Sequence, residues 1–326
     1  MIHARIIGTG SYAPKKVLTN HDIEKMVETS DDWIVERTGI RERRVCEKGQ
    51  TTSDLAYEAG HKAIKAAGVA AQDIDLIIVG TLTPDTAMPS TACVLQSKLH
   101  AKKAAAFDVY AACSGFLYGI SIADAFIKSG MYTTILVVGA EALSRFTDWE
   151  DRTTCVLFGD GAGAAVLQRH AGKRGVLSTH LHSDGNFGDL LHIPAGGAAH
   201  PATADTVERR QHYIKMKGNE TFKVAVRALE EVVEEALTHN KVKPEEIDLL
   251  IPHQANLRII QAMAKRLNMP MEKVMLTIHK YGNTSAASIP MALDEAVREG
   301  KVKDNDLLLL EAFGGGLTWA SALIRW

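Results

Sequence analysis

Apolar positions along this chain change period many times, and each change marks a strand giving way to a helix or the reverse. Ile6-Ile7-Gly8-Thr9-Gly10 predicts a strand and turn closed by Pro14. Thr19-Asn20-His21-Asp22 begins a helix behind a polar cap, and a second helix is expected over 30–38, stopped by Gly39. Thr52-Ser53-Asp54-Leu55 caps a long alanine-rich helix that reaches Gly68. The unbroken apolar run at 74–80 predicts a strand buried on both faces. Pro89-Ser90 opens another helix, and a strand is expected over 135–139. Residues 156–167 read as a strand pair broken by glycines. Because no helix follows those glycines, they do not make a dinucleotide fingerprint. The stretch 170–215, rich in His, Gly and Ala, is weakly periodic and predicts a surface excursion or a substrate-lining loop. Gly218-Asn219-Glu220 then caps a long helix with Val224, Leu229, Val232 and Leu237 on one face.

The pattern repeats. Ala63-Ile64, Val69 and 73–78 return as Ala236-Leu237, Val242 and 246–251, while 124–130 and 135–138 return as 295–300 and 307–310. Both matches are offset by about 170 residues, which predicts an internal duplication. The expected architecture is α/β, in two duplicated halves at 1–170 and 171–326, with helix–strand alternation giving mostly parallel, mixed sheets.

Bulk properties narrow the function classes. A net charge of −2, from 37 basic and 39 acidic side chains, gives no support for nucleic acid or an acidic membrane as partner. Four cysteines, Cys46, Cys93, Cys113 and Cys155, lack paired spacing, so neither a disulfide framework nor a metal site is expected. No signal peptide is read in Met1-Ile2-His3-Ala4-Arg5, and no apolar run reaches the roughly 18–20 residues that span a bilayer. A reducing cytoplasm is the expected setting.

Candidate chemistry centres on 107–120, read as the end of a buried strand, a turn of small residues and an apolar helix starting near Ser114. Cys113 lies where strand becomes helix. The partial positive charge of a helix N-terminus favours thiolate there, and Ala111, Ala112 and Gly115 leave room for a substrate. A buried structural cysteine fits the same local pattern. Two turns of the second half add His253, in Ile251-Pro252-His253-Gln254-Ala255-Asn256, and Asn283, in Gly282-Asn283-Thr284-Ser285. With the offset of about 170, Asn283 falls on Cys113, so the two are expected to cap equivalent helices. A nucleophile facing two side-chain N–H donors is the chemistry implied. Singly, the histidine could be structural, the asparagine an ordinary cap, and Gly314-Gly315-Gly316 a plain turn.

Taken together, Ser30-Asp31-Asp32-Trp33-Ile34 with Arg37-Thr38-Gly39-Ile40, Ala111-Ala112-Cys113-Ser114-Gly115, His253-Gln254-Ala255-Asn256, Gly282-Asn283-Thr284-Ser285 and Gly314-Gly315-Gly316 resemble β-ketoacyl-acyl-carrier-protein synthase III, of the thiolase superfamily, along essentially the whole chain. The resemblance implies a five-layered αβαβα thiolase-like fold, a homodimer and no cofactor. It implies that Cys113 takes an acyl group from acyl-CoA, and that His253 and Asn283 hold the thioester carbonyl of malonyl-acyl carrier protein during decarboxylation and condensation. The backbone N–H groups of Cys113 and Gly315 would form the oxyanion hole. Trp33, Arg37 and Arg152 match positions that hold CoA, and Lys223, Arg258, Lys265 and Arg266 offer a basic face to the acidic carrier protein. Met88 stands where an aromatic residue often closes the acyl pocket across the dimer, leaving acetyl-CoA the first expectation and longer or branched primers open. A related condensing enzyme making a quinolone or polyketide-starter product would carry the same motifs. A non-catalytic acyl-carrier-binding relative would have no need of Cys113, His253 and Asn283 together.

Overall fold

The computed structural model describes residues 2–326. Its first sheet holds β1 (Ile2–Tyr12), β2 (Leu76–Gly80), β3 (Ala105–Val109), β4 (Thr134–Ala142) and β5 (Asp160–Ala171), in the order β1-β5-β4-β2-β3. The second holds β6 (Gly175–Ser183), β7 (Leu249–Pro252), β8 (Leu307–Gly314) and β9 (Thr318–Arg325), in the order β7-β8-β9-β6. The main helices are α1 (Asp31–Thr38), α2 (Thr52–Ala67), α3 (Thr91–Lys98), α4 (Gly115–Ser129), α5 (Gly218–Asn240), α6 (Leu257–Arg266) and α7 (Ser288–Arg298).

Side-chain alternation sorts these elements into layers. In β2, Leu76 and Ile78 face one core while Ile77 and Val79 face another; in β8, Leu308 and Leu310 oppose Leu307 and Leu309. The shared inner core contains both sheets together with Phe116, Leu117 and Ile120 of α4 and Ile289, Ala292 and Leu293 of α7. Helices α2 and α3 cover the outer face of the first sheet, and α5 and α6 that of the second. The result is αβαβα. Helix α4, apolar nearly all round, is suited to a place between two sheets.

Local signals hold well. Ser30 caps α1 by accepting the Trp33 N–H, Gly39 ends it at φ 80°, and Gly68 ends α2 at φ 67°. Longer-range expectations shift. The sheets are mixed, but antiparallel pairs are as frequent as parallel ones in the first sheet and outnumber them in the second. The reason lies in the connections: β8 and β9 form a hairpin through the Gly314-Gly315-Gly316 turn, and β4 returns to β5 without a full crossover helix. The glycines at 159–163 do not split a strand pair; β5 is a single strand and residues 152–155 before it are a helical turn. Strand β3 is a half-exposed edge, not a buried strand.

The repeat is displaced from its sequence estimate. Helices α4 and α7 start at Gly115 and Ser288, so the offset is 173 (288 less 115), and Leu76 and Leu249 at the starts of β2 and β7 are also 173 apart (249 less 76). Each of these two helices follows a 3-10 turn whose first residue, Ala112 at φ 44° or Ser285 at φ 48°, is left-handed without being glycine. Cys113 therefore corresponds to Ala286, and Asn283 lies three residues upstream of that equivalent position.

The two halves touch backbone to backbone. A Cβ placed on Gly139 of β4 would come within 2.1 Å of Ala286 O, so strand and turn approach only because no side chain intervenes. Gly139→Ala is expected to lower stability by about 1–3 kcal/mol or more through overpacking, read by chemical denaturation.

Candidate active site

Cys113 sits on the 3-10 turn Ala112–Ser114 ahead of α4. This turn is tied to the start of β9 by Ser114 Oγ donating to Thr318 O at 3.1 Å and Thr318 Oγ1 donating to Ala111 O at 2.9 Å. The end of β8 presses on it as well: a Cβ on Gly314 would stand 2.6 Å from Cys113 N. Burial pushes the Cys113 thiol up to about 12; the Ser285 hydroxyl opposes that shift and the Glu141 carboxylate adds to it. Burial thus works against the thiolate that the helix terminus favours.

His253 follows β7, its backbone N–H donating to Glu311 O at 2.8 Å. Its Nδ1 lies 2.6 Å from Ser288 Oγ, which also accepts the Gln254 N–H at 3.3 Å. The serine hydroxyl that accepts the Gln254 N–H still has its own hydrogen to give to Nδ1, an arrangement that would put the imidazole proton on Nε2. Nε2 has no protein partner. Burial drives the ring down to about 3, so it is neutral at physiological pH. Gln254 locks the strand end through Nε2 to Pro252 O and Met275 O, and through Oε1 from the N–H groups of Thr277 and Ile278.

Asn283 is held by backbone bonds from Gly159 N to its carbonyl at 3.0 Å and from its own N–H to Leu157 O at 2.9 Å. Its Oδ1 accepts the Ser285 N–H at 2.9 Å, so the amide's donor end is the one left free.

These three side chains line one cavity of about 520 Å³ together with Trp33, Arg37 and Arg152. A second cavity, about 360 Å³, lies on the other side of Cys113 and is walled largely by Leu82, Leu143, Phe158, Leu191, Ile193 and Ile214. Cys113 belongs to both. So does Leu191, which makes the 170–215 stretch partly a lining segment. Gly315 lines the second cavity beside Cys113.

Arg37 and Arg152 place their guanidinium carbons 5.2 and 5.1 Å from the Trp33 ring centre. Arg152 also donates to Glu28 O at 3.1 Å. Lys223 and Arg258 line the large cavity, with Arg258 over the Phe222 ring at 5.8 Å. Lys265 is exposed and stands apart from that cavity, and Arg266 is paired with Glu230 at 2.6 Å, so these two are not gathered with the others. Met88 is 86% exposed and lines neither cavity of its own chain. Among the described residues no group of three or more His, Cys, Asp or Glu is placed to hold a metal, and no helix is long and apolar enough to cross a membrane. Sequence reasoning passed over Ser285 and Ser288 as parts of a small-residue turn and did not single out Glu141, just beyond the strand expected over 135–139; only their neighbours in space mark them.

Duplicated α/β halves meeting around a buried cysteine define a thiolase-like condensing enzyme. A family model described as 3-oxoacyl-[acyl-carrier-protein (ACP)] synthase III matches residues 107–185, and its C-terminal counterpart matches 237–326. The chain is 58% identical over 325 residues to beta-ketoacyl-[acyl-carrier-protein] synthase III of Thioalkalivibrio sulfidiphilus, covering 100% of both chains. The crystal structure of 3-oxoacyl-[acyl-carrier-protein] synthase III from Aquifex aeolicus VF5 superposes with a TM-score of 0.92 at 54% identity, over 99% of this chain and 100% of that one. The priming β-ketosynthase of the R1128 polyketide pathway gives 0.92 at 33% identity, over 99% and 96%. This chain belongs to the β-ketoacyl-acyl-carrier-protein synthase III family.

Removing the Ser288 hydroxyl frees the His253 ring to take the other tautomer. Ser288→Ala is expected to slow condensation about tenfold, or ~1.4 kcal/mol, while acylation of Cys113 persists; single-turnover assays of the two half-reactions check this.

Proposed function

We propose that this chain catalyses the initiating condensation of type II fatty acid synthesis. An acyl-CoA, acetyl-CoA first, and malonyl-acyl carrier protein give 3-oxoacyl-acyl carrier protein, CO2 and CoA by way of an acyl-Cys113 intermediate. The observation that carries this reading is the single cavity lined by Cys113, His253 and Asn283, backed by an apolar chamber behind the sulfur. The 58% identity to a β-ketoacyl-acyl-carrier-protein synthase III, against 33% to a polyketide priming enzyme, favours the fatty acid product.

In this reading the Cys113 sulfur attacks the thioester carbonyl, the bond from that carbon to the CoA sulfur breaks, and the acyl chain lies in the second cavity. Backbone N–H groups of Cys113 and Gly315 hold the oxyanion. The malonyl thioester then presents its carbonyl to His253 Nε2 and Asn283 Nδ2. Loss of CO2 leaves its electron pair on an enolate that both donors stabilise, and the α-carbon displaces Cys113 from the acyl group. Two neutral donors suit this step, since a fixed anion beside the carbonyl would oppose the developing charge. No metal or redox cofactor has a part in it.

Residues 1–170 thus supply the nucleophile and 171–326 the imidazole and carboxamide. Trp33, Arg37 and Arg152 would take the adenine and phosphates of CoA, an aromatic face and guanidinium groups being apt for both. Lys223 and Arg258, at the cavity, are the better placed of the four basic residues read as a carrier-protein dock, with Lys265 and Arg266 further out. A homodimer is supported by the unpaired β3 edge and by exposed Met88 and Tyr110, at 86% and 74%. Met88 would then act on the partner's acyl cavity. A cytoplasmic location follows from soluble CoA and carrier-protein substrates.

Cys113→Ala is expected to abolish acyl transfer while leaving some malonyl decarboxylation. His253→Ala and Asn283→Ala are expected to acylate at Cys113 yet fail to condense. Intact-protein mass after mixing with acyl-CoAs, alongside product mass spectrometry, reads both; wild-type condensation in Cys113→Ala would overturn the scheme.

A further inference from the structure

Acylation requires the Cys113 thiol to lose its proton, and in the proposed condensation His253 is engaged as a donor. With the Ser288 hydroxyl given to Nδ1, the unpartnered Nε2 would carry the ring proton and donate into the cavity. The rest of the thiol's surroundings contains one buried acid and one hydroxyl without a settled partner. Glu141, on β4, is 0% exposed and forms no salt bridge among the described residues. Its Oε2 accepts from Thr83 Oγ1 at 2.6 Å, Thr81 Oγ1 at 3.2 Å and Leu82 N at 3.2 Å, whereas Oε1 has only a 3.3 Å contact with Leu82 N. One oxygen therefore keeps acceptor capacity.

Ser285 supplies that hydroxyl. It is 1% exposed, its Oγ has no formed hydrogen bond, and it lines the second cavity with Cys113 and Leu82. The backbone contact between Gly139 and Ala286 sets its turn against the end of β4, two residues from Glu141. The hydroxyl is not needed for the turn, because Ala112 adopts the same left-handed conformation at the equivalent place in the first half.

We propose that Ser285 and Glu141 form a proton relay behind Cys113, Ser285 Oγ accepting the thiol proton as it passes its own to the Glu141 carboxylate. The relay rests on the acyl-Cys113 reading and supplies its missing base. During acylation the Sγ–H bond breaks as the Sγ–carbon bond forms, and the CoA sulfur leaves with its electron pair and takes a proton from water. During condensation the Sγ–carbon bond breaks and the sulfur recovers its proton from Glu141 through Ser285. Each cycle consumes one solvent proton, as loss of CO2 from a carboxylate requires. Burial raises Glu141 to about 7, the range in which a general base serves best at neutral pH, and the Ser285 hydroxyl lowers both the carboxyl and the thiol. The titratable groups facing Glu141 are Cys113 and the Tyr110 phenol; Thr81, Thr83 and Ser285 face it as neutral hydroxyls.

The test is the rate of Cys113 modification between pH 5 and 9 in the full-length protein and in Glu141→Gln, Ser285→Ala and Glu141→Asp, by acetyl-CoA and separately by iodoacetamide, with mass mapping to Cys113. Wild-type rates are expected to rise through about pH 7 as Glu141 ionises. Glu141→Gln and Ser285→Ala are expected to lose that rise and to react about 10²-fold more slowly near neutrality, with partial recovery in Glu141→Asp. If Glu141 served only as a nearby negative charge, its removal would favour thiolate and speed alkylation, which is the opposite sign and would overturn the relay. Unchanged pH profiles in variants that melt like wild type would overturn it too. Ser285→Ala keeps the test decisive should Glu141→Gln misfold. Iodoacetamide separates the two claims: a wild-type protein that resists acetyl-CoA refutes the primer assignment, while the alkylation profiles still judge the relay.

Discussion

Two turns pressed together across the central helical layer are the contact on which the rest of this structure depends. The Ser285–Ala287 turn meets β4 at Gly139, and the Ala112–Ser114 turn meets β8 at Gly314; in each case an added Cβ would strike backbone within 2.6 Å. Neither strand could approach so closely with a side chain in the way. That proximity brings a thiol from the first half within one cavity of an imidazole and a carboxamide from the second. It also buries all three, and burial sets their chemistry.

Desolvation acts on each group in the same sense, towards neutrality. It holds the thiol protonated, the imidazole uncharged, and the Glu141 carboxyl near the midpoint of its titration at neutral pH. A site of neutral donors is what an enolate needs, since charge then appears only in the transition state and the dipoles are already aimed. The same dryness opposes ionisation of the thiol. An acceptor for its proton would serve acylation as the donors serve condensation, which is the part proposed for Ser285 and Glu141.

Much of this was legible in the chain itself, and the failures share a cause. The helix starts near Ser30 and Thr52, the stops at Gly39 and Gly68, and the buried strand expected at 74–80 and found at 76–80 depend on neighbours within a few residues, so sequence reports them. The duplication was visible from its spacing, yet an offset taken from two matches missed by three residues and set Asn283 on Cys113, where Ala286 belongs. Strand direction in β5 and β9 follows from short returns to β4 and β8, which the helix–strand alternation did not separate from crossovers. The ionisation of Cys113 depends on partners far along the chain: the helix start is local, but the surrounding protein that desolvates it is not. Ser288 and Glu141 look ordinary in a small-residue turn and an apolar strand. Their importance comes from groups far off in sequence: Ser288 meets His253 across 35 residues, and Glu141 neighbours Ser285 of the other half.

The account's central claim is that one thioester, held between the two halves, reaches the sulfur, the imidazole and the carboxamide at once. The most direct measurement is a crystal structure of the protein treated with acetyl-CoA. The account predicts continuous density from Cys113 Sγ to an acetyl group directed into the cavity beside Gly315 and Leu191, with the imidazole and amide of His253 and Asn283 open on the opposite side. An unmodified Cys113 with acetyl carried on another residue, or His253 and Asn283 turned out of the shared cavity, would contradict it.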